Sequence, residues 1–205
     1  INVVMNSGDN KYNMYTEIAA SVSAAGLNGG AIPEYAGLTN VALNKTVYGP
    51  TAKSGYVGDV NDGFIPVGEY DTSGWAGYNF WNGAGNYNGA VATEIIDHGR
   101  VYNNLSLFRA YIEVNSGAGI GAPEKVEVLV SNDRENWVSL GNLSAVTDAR
   151  MQWITLQLTE TASARYVKFA FTNSGEKSFI FCGVLEVYSA DEVAVIDVMR
   201  VNAYD

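Results

Sequence analysis

From Asn40 onward, apolar and polar residues alternate with a period of two. In EKVEVLVS, Val126, Val128 and Val130 alternate with Glu127, Leu129 and Ser131; in RYVKFAFT, Val167, Phe169 and Phe171 alternate with Lys168 and Ala170. LSLFRAYIEV sets Phe108, Ala110, Ile112 and Val114 opposite Arg109, Tyr111 and Glu113, and WITLQL sets Ile154, Leu156 and Leu158 opposite Thr155 and Gln157. Successive side chains of a strand point to opposite faces, so this spacing predicts half-buried antiparallel strands. Turn-forming runs such as NSGAG, SNDREN and TNSGEK lie between them. Short strands joined in this way predict a sandwich or barrel.

The two ends read differently. Residues 15–26, YTEIAASVSAAG, are Ala-rich with helical spacing and stop at a Gly-Leu-Asn-Gly-Gly run. They predict a short N-terminal helical segment and linker over residues 1–38, ahead of a β-sandwich over residues 39–190. VAVIDVMRVNAY keeps strand-like alternation, so residues 191–205 are expected to form a C-terminal strand-like tail or the start of a further module.

Composition narrows the partners. Apolar residues make up 47% of the 205 and charged residues 17%, a balance that supports a packed core and argues against disorder. Twenty-two acidic residues against 12 basic ones give a net charge of -10, which repels phosphate backbones and anionic lipid surfaces; nucleic acid is not an expected partner. No apolar run is long enough to span a bilayer, so membrane insertion is not expected either. The chain opens at INVVM with no charged n-region or cleavage site, as expected of a mature fragment of a longer protein. Cys182 stands alone in FIFCGVLEV, which rules out an intramolecular disulfide and reads as a buried thiol.

Catalytic chemistry finds little support. His98 is the single histidine and sits within a strand pattern, where a core or sheet-edge ring with one satisfied hydrogen bond is the simpler reading. No Gly-x-Ser-x-Gly elbow is present. Carboxylate pairs such as Glu69 with Asp71, or Glu94 with Asp97, are what 22 acids produce by chance. The glycines of residues 117–122 imitate a dinucleotide fingerprint, yet Pro123 and VEVLV follow where a helix would have to begin. DVNDG lacks the spacing and closing glutamate of an EF-hand loop.

The run GWAGYNFWNGAGNYNG, residues 74–89, combines five rings with many Gly and Asn residues. Ring faces can cover the C–H surface of a pyranose while amides meet its hydroxyls, so Trp75, Tyr78 and Trp81 are candidate ligand contacts. The competing reading is that one Trp of this run, Trp75, is core and the other rings only shield the end of the sandwich.

A set of longer motifs occurs in a fixed order: NVALNKTV at 40–47, GDVNDG at 58–63 with Trp75 beyond it, ATEIIDHG at 92–99, PEKVEVLVSNDRENWVSLG at 123–141, ARYVKFAFTNSG at 164–175 and VLEVY at 184–188. Together they resemble discoidin-like modules, the F5/8 type C and family 32 carbohydrate-binding modules. The resemblance implies an all-β fold, an antiparallel jelly-roll-like β-sandwich of the discoidin and galactose-binding type. It also implies a non-catalytic, extracellular module that targets a bacterial enzyme or surface protein to polysaccharide or host glycan, within a larger multimodular protein. The alternative is a protein-binding adhesion or scaffold module of the same fold. Sugar contacts implied by the resemblance fall at Trp75, at Glu113 and Asn115, and at Lys177 in the stretch before the closing strand. A structural calcium ion is implied as well, held by Asp62, by Thr72 or Ser73, and by Glu186, whose hard oxygens suit it. An Asx turn at Asp62 and an edge Glu186 without metal is the competing reading. Two departures stand out: residues 64–74 are longer than the usual connection, and His98 replaces an apolar residue.

Overall fold

The computed structural model describes residues 2–8, 11–17, 37–49, 56–81, 83 and 87–190. The chain divides into two units, residues 40–191 and residues 1–39 with 192–205. In the latter, β1 (Asn2–Gly8) and β2 (Lys11–Glu17) form an antiparallel hairpin that pairs Asn2 with Glu17 and Gly8 with Lys11. This corrects the start of the expected helix: Tyr15, Thr16 and Glu17 belong to β2. Tyr and Thr favour extended backbone, and here their strand pairs with β1 instead of closing a helical turn. The rest of the expected helix, residues 18–26, and the tail 191–205 lie outside the described residues.

The sandwich contains β3 (Thr39–Asn40), β4 (Thr46–Tyr48), β5 (Ala76–Asn79), β6 (Val91–Glu113), β7 (Pro123–Ser131), β8 (Val138–Asn142), β9 (Met151–Asn173) and β10 (Phe179–Ser189). The strand order is β3-β10-β6-β9-β7-β8, with β4 added on β6 and β5 on β10, and the pairings among β4 to β10 are antiparallel. β6 and β9 are each 23 residues long and pair along their length, with register shifts between Asp97 and Leu107. Bulges bend and twist a strand, which allows one strand to serve two layers. The first half of β6 pairs with β4 and with residues 166–172 of β9, which also hold β7; the second half pairs with residues 151–157 of β9 and with β10.

The alternation read from the sequence decides what lies between the layers. Val126, Val128 and Val130 of β7, Val167, Phe169 and Phe171 of β9, Phe108, Ala110 and Ile112 of β6, and Leu185 and Val187 of β10 share one core. Full burial of each of the larger side chains contributes about 1.5–3 kcal/mol. Cys182 is a free, buried thiol in that core. His98 is buried too, with Nδ1 3.0 Å from the Val41 carbonyl oxygen. Among the described residues there is no α-helix; residues 116–118 form a single 3-10 turn.

Candidate functional site

The aromatic run divides at the end of β5. Ala76–Asn79 pairs with Phe179–Cys182 of β10, which commits its side chains to fixed faces. Tyr78 enters the main core, 2% exposed, and its hydroxyl donates to Glu94 Oε1 at 2.8 Å. Trp75, 1% exposed, belongs to a second apolar cluster with Ile120 and Phe181. Its Nε1 donates to the Gly68 carbonyl at 3.0 Å, and its ring stacks on Tyr111 at 5.6 Å and 16°. Both expected contacts are therefore corrected: strand pairing turns these rings inward and leaves no face for a sugar. Trp81 lies beyond the strand, 60% exposed, with its backbone N–H donating to Asn79 Oδ1 and its ring 5.9 Å from Tyr87.

Three loops meet around the start of β10. The Phe80 N–H donates to the Ser178 carbonyl at 2.8 Å, and the Gly89 N–H to the Asn173 carbonyl at 3.0 Å, which joins the loop after β5 to the loop before β10. The Gly121 N–H donates to the Phe179 carbonyl at 2.8 Å, which brings in the loop after β6. A β-carbon added to Gly121 would lie 3.1 Å from Lys177 Cβ, so a side chain here would crowd Lys177. Asn115 caps the 3-10 turn through its Oδ1 and donates from Nδ2 to Glu113 Oε1 at 3.3 Å. The fold thus gathers Glu113, Asn115, Lys177 and the Trp81 loop from three separate stretches of sequence.

Glu113 is 0% exposed. Its Oε1 lies 3.5 Å from Arg150 Nε, and Arg150 Nη2 reaches Glu69 Oε2 at 2.5 Å. Its Oε2 has no hydrogen-bond partner among the described residues. Burial pushes the carboxyl above its ordinary pKa, with Asn115 and Arg150 pulling the other way. Sequence reading missed Arg150 altogether and took Glu69 only as one of many acids. The signal was unavailable locally, because Arg150 reaches Glu113 through the pairing of Met151 with Glu113 across β6 and β9.

Of the residues expected to hold calcium, three already have partners within the fold. Asp62 Oδ1 accepts the Phe64 N–H at 2.8 Å in an Asx turn, and the Thr72 hydroxyl donates to the Glu69 carbonyl at 2.7 Å. Ser73 is exposed. Glu186 is buried, bonded to the Arg109 guanidinium, and accepts the Tyr188 hydroxyl at 3.1 Å. No group of three or more His, Cys, Asp or Glu side chains among the described residues is placed to hold a metal. A carboxylate already neutralised by a guanidinium is a poor cation ligand, so Glu186 in this arrangement does not fit calcium.

No protein-family model matches the chain, and no curated protein matches it in sequence. Solved structures do match. The lectin domain of lectinolysin, solved with Lewis B antigen, aligns at a TM-score of 0.55 and 17% identity over 73% of this chain and 96% of that one. The sandwich has the discoidin-like, F5/8 type C fold. Chitosan-binding module 1 of a Paenibacillus sp. IK-5 chitosanase/glucanase aligns at 0.51 and 20% identity over 73% and 98% of the two chains. A Streptococcus pneumoniae fucose binding module aligns at 0.53 and 13% identity over 74% and 98%. Nearly the whole of each such module is thus accounted for by this discoidin-like sandwich. Within it Glu94 turns inward to Tyr78 while Asp97 pairs with Arg165 at 2.8 Å, so that carboxylate pair does not face one substrate.

Proposed function

We propose that the chain is a non-catalytic glycan-binding module that works outside the cell, secreted or surface-attached, and directs a larger protein to polysaccharide or host glycan. The observation that carries this reading is Trp81, a mostly exposed ring just after β5 in a stretch rich in Asn and Gly. An exposed ring face beside neutral amides suits the amphipathic surface of a pyranose. The fold supports the reading, since the lectinolysin domain, the Paenibacillus module and the pneumococcal module are described as binding Lewis B, chitosan and fucose respectively.

The test is a glycan array probed with the whole chain, followed by calorimetry on the best hit. Trp81→Ala is expected to weaken binding about tenfold or more, with an unchanged melting temperature. An array without hits, or full-strength binding by Trp81→Ala, overturns the reading, and the former outcome favours a protein-binding scaffold of the same fold.

A further inference from the structure

Val47, Ile96, Val167 and Val130 face the core from β4, β6, β9 and β7, so Tyr48, Ile95, Lys168 and Leu129, paired in one row across the same strands, lie on the outer face of the sheet. The turn after β7 reaches that face. The Arg134 guanidinium carbon lies 4.4 Å from the centre of the Tyr48 ring and 5.7 Å from that of Tyr166, and Lys168 Nζ lies 3.7 Å over Trp137. Arg165, also beside Tyr166, gives its charge to Asp97 in two contacts of 2.8 and 3.0 Å. Arg134 and Lys168, by contrast, form no ion pair among the described residues, although acids outnumber bases 22 to 12 in this chain. Two acids of the same elements are otherwise engaged: Asp133 accepts N–H groups of its own turn, and Glu127 accepts the Ser139 hydroxyl at 2.7 Å and pairs with Lys125 at 3.7 Å.

The backbone singles out Arg134 as well. Its φ of 64° is a left-handed conformation that glycine enters freely and a larger residue only at a cost. The turn fixes it there, since its N–H donates to Ser131 Oγ and its carbonyl accepts Trp137 Nε1, both at 3.0 Å. A long cation at a position that favours glycine, steadied by rings and left without a counter-ion, points to a use for the side chain.

We propose that this outer face is a second ligand surface, on which Arg134 and Lys168 receive the carboxylates of a uronic acid polysaccharide. It is separate from the Trp81 loops. Pro123, at the other end of β7, pairs with Asn173, whose carbonyl accepts the Gly89 N–H, and the eight steps from Pro123 to Ser131 span roughly 26 Å. A planar guanidinium matches the two oxygens of a carboxylate, and rings that already hold both cations in place lessen the ordering cost of binding. The protein's net charge of -10 opposes a densely charged polyanion, which favours one carboxylate per sugar over clustered sulfates.

Calorimetry of the whole chain with a β-1,4-linked glucuronic acid tetramer, its methyl ester and a sulfated glucose tetramer tests this. The acid is expected to bind about tenfold more tightly than the ester. Arg134→Gly, which also relieves the backbone, should remove that preference without lowering the melting temperature, and Lys168→Gln should reduce it. Trp81→Ala should leave it unchanged, which separates this surface from the glycan site proposed above. No binding of the acid, equal binding of acid and ester, or a preference that survives Arg134→Gly overturns the proposal. A preference lost in Trp81→Ala also overturns it, because one site would then account for both ligands, and tighter binding of the sulfated tetramer overturns the carboxylate class.

Discussion

Two buried ionisable side chains make the stability of this protein depend on pH in opposite directions. Glu94 points into the core between Ala92 and Ile96, bonded to the Tyr78 hydroxyl, and faces Asp59 and Cys182 electrostatically. Burial raises its pKa from 4.5 to about 7, against the Tyr78 hydrogen bond. A raised carboxyl pKa means that the folded state holds the proton more tightly than the unfolded one. The contribution is therefore present below 4.5 and is lost as pH rises through about 7, a change of roughly 3 kcal/mol at most. Glu94→Gln should flatten the fall in melting temperature over that window, and an unchanged slope would show that Glu94 does not cause it. His98 acts at the acid end: burial lowers its pKa from 6.5 to about 4, so the stability it contributes is present above 6.5 and is lost as pH falls through about 4. As the single histidine, its ring protons can be followed by NMR, and a midpoint near 6.5 would contradict the burial. Trp75→Ala should cost about 3–5 kcal/mol of stability, in contrast to the exposed Trp81, because it empties a stacked site against Tyr111 and Phe181.

Among the elements, the pairing of β6 with β10 carries the clearest ion pair. Arg109 and Glu186 lie opposite each other in register, both nearly buried, with the guanidinium 4.0 Å from the Trp153 ring centroid. Removing one partner strands a buried charge, so Glu186→Ala is expected to lose roughly 3–5 kcal/mol. That loss should be the same with added calcium and with a chelator. A loss that appears only when calcium is present would mean that Glu186 serves the metal after all. The turn between β7 and β8 shows how local such determinants can be: the Asp133 carboxylate accepts the Asn136 side-chain amide and the Asn136 and Glu135 backbone N–H groups, and these bonds hold its pKa well below the usual range. SNDREN was legible as a turn for that reason, since the partners lie within three residues.

For the whole molecule, the governing feature is how far apart in sequence the paired strands are. Val91 pairs with Thr172 and Glu113 with Met151, so the two long central strands close large loops before they gain any contact. Stopped-flow refolding followed by tryptophan fluorescence should accordingly show a phase in roughly the millisecond-to-second range of non-local β topologies; microsecond refolding would be inconsistent with β6 and β9 forming the folding nucleus together.

Strand faces, turns, the burial of the single cysteine and the order of motifs that points to a discoidin-like sandwich were all legible in the sequence. Period-two alternation and turn chemistry act over a few residues, so they can be read without knowing any partner. That Trp75 and Tyr78 are core rings while Trp81 is exposed, that Tyr15 to Glu17 extend in a hairpin, that Glu186 pairs with Arg109 and that Arg150 meets Glu113 emerge from the folded chain alone. Each of these depends on which strand lies alongside another. Alternation tells two faces apart, but whether a given face meets core, solvent or a charged side chain is settled by chain pairing across tens of residues.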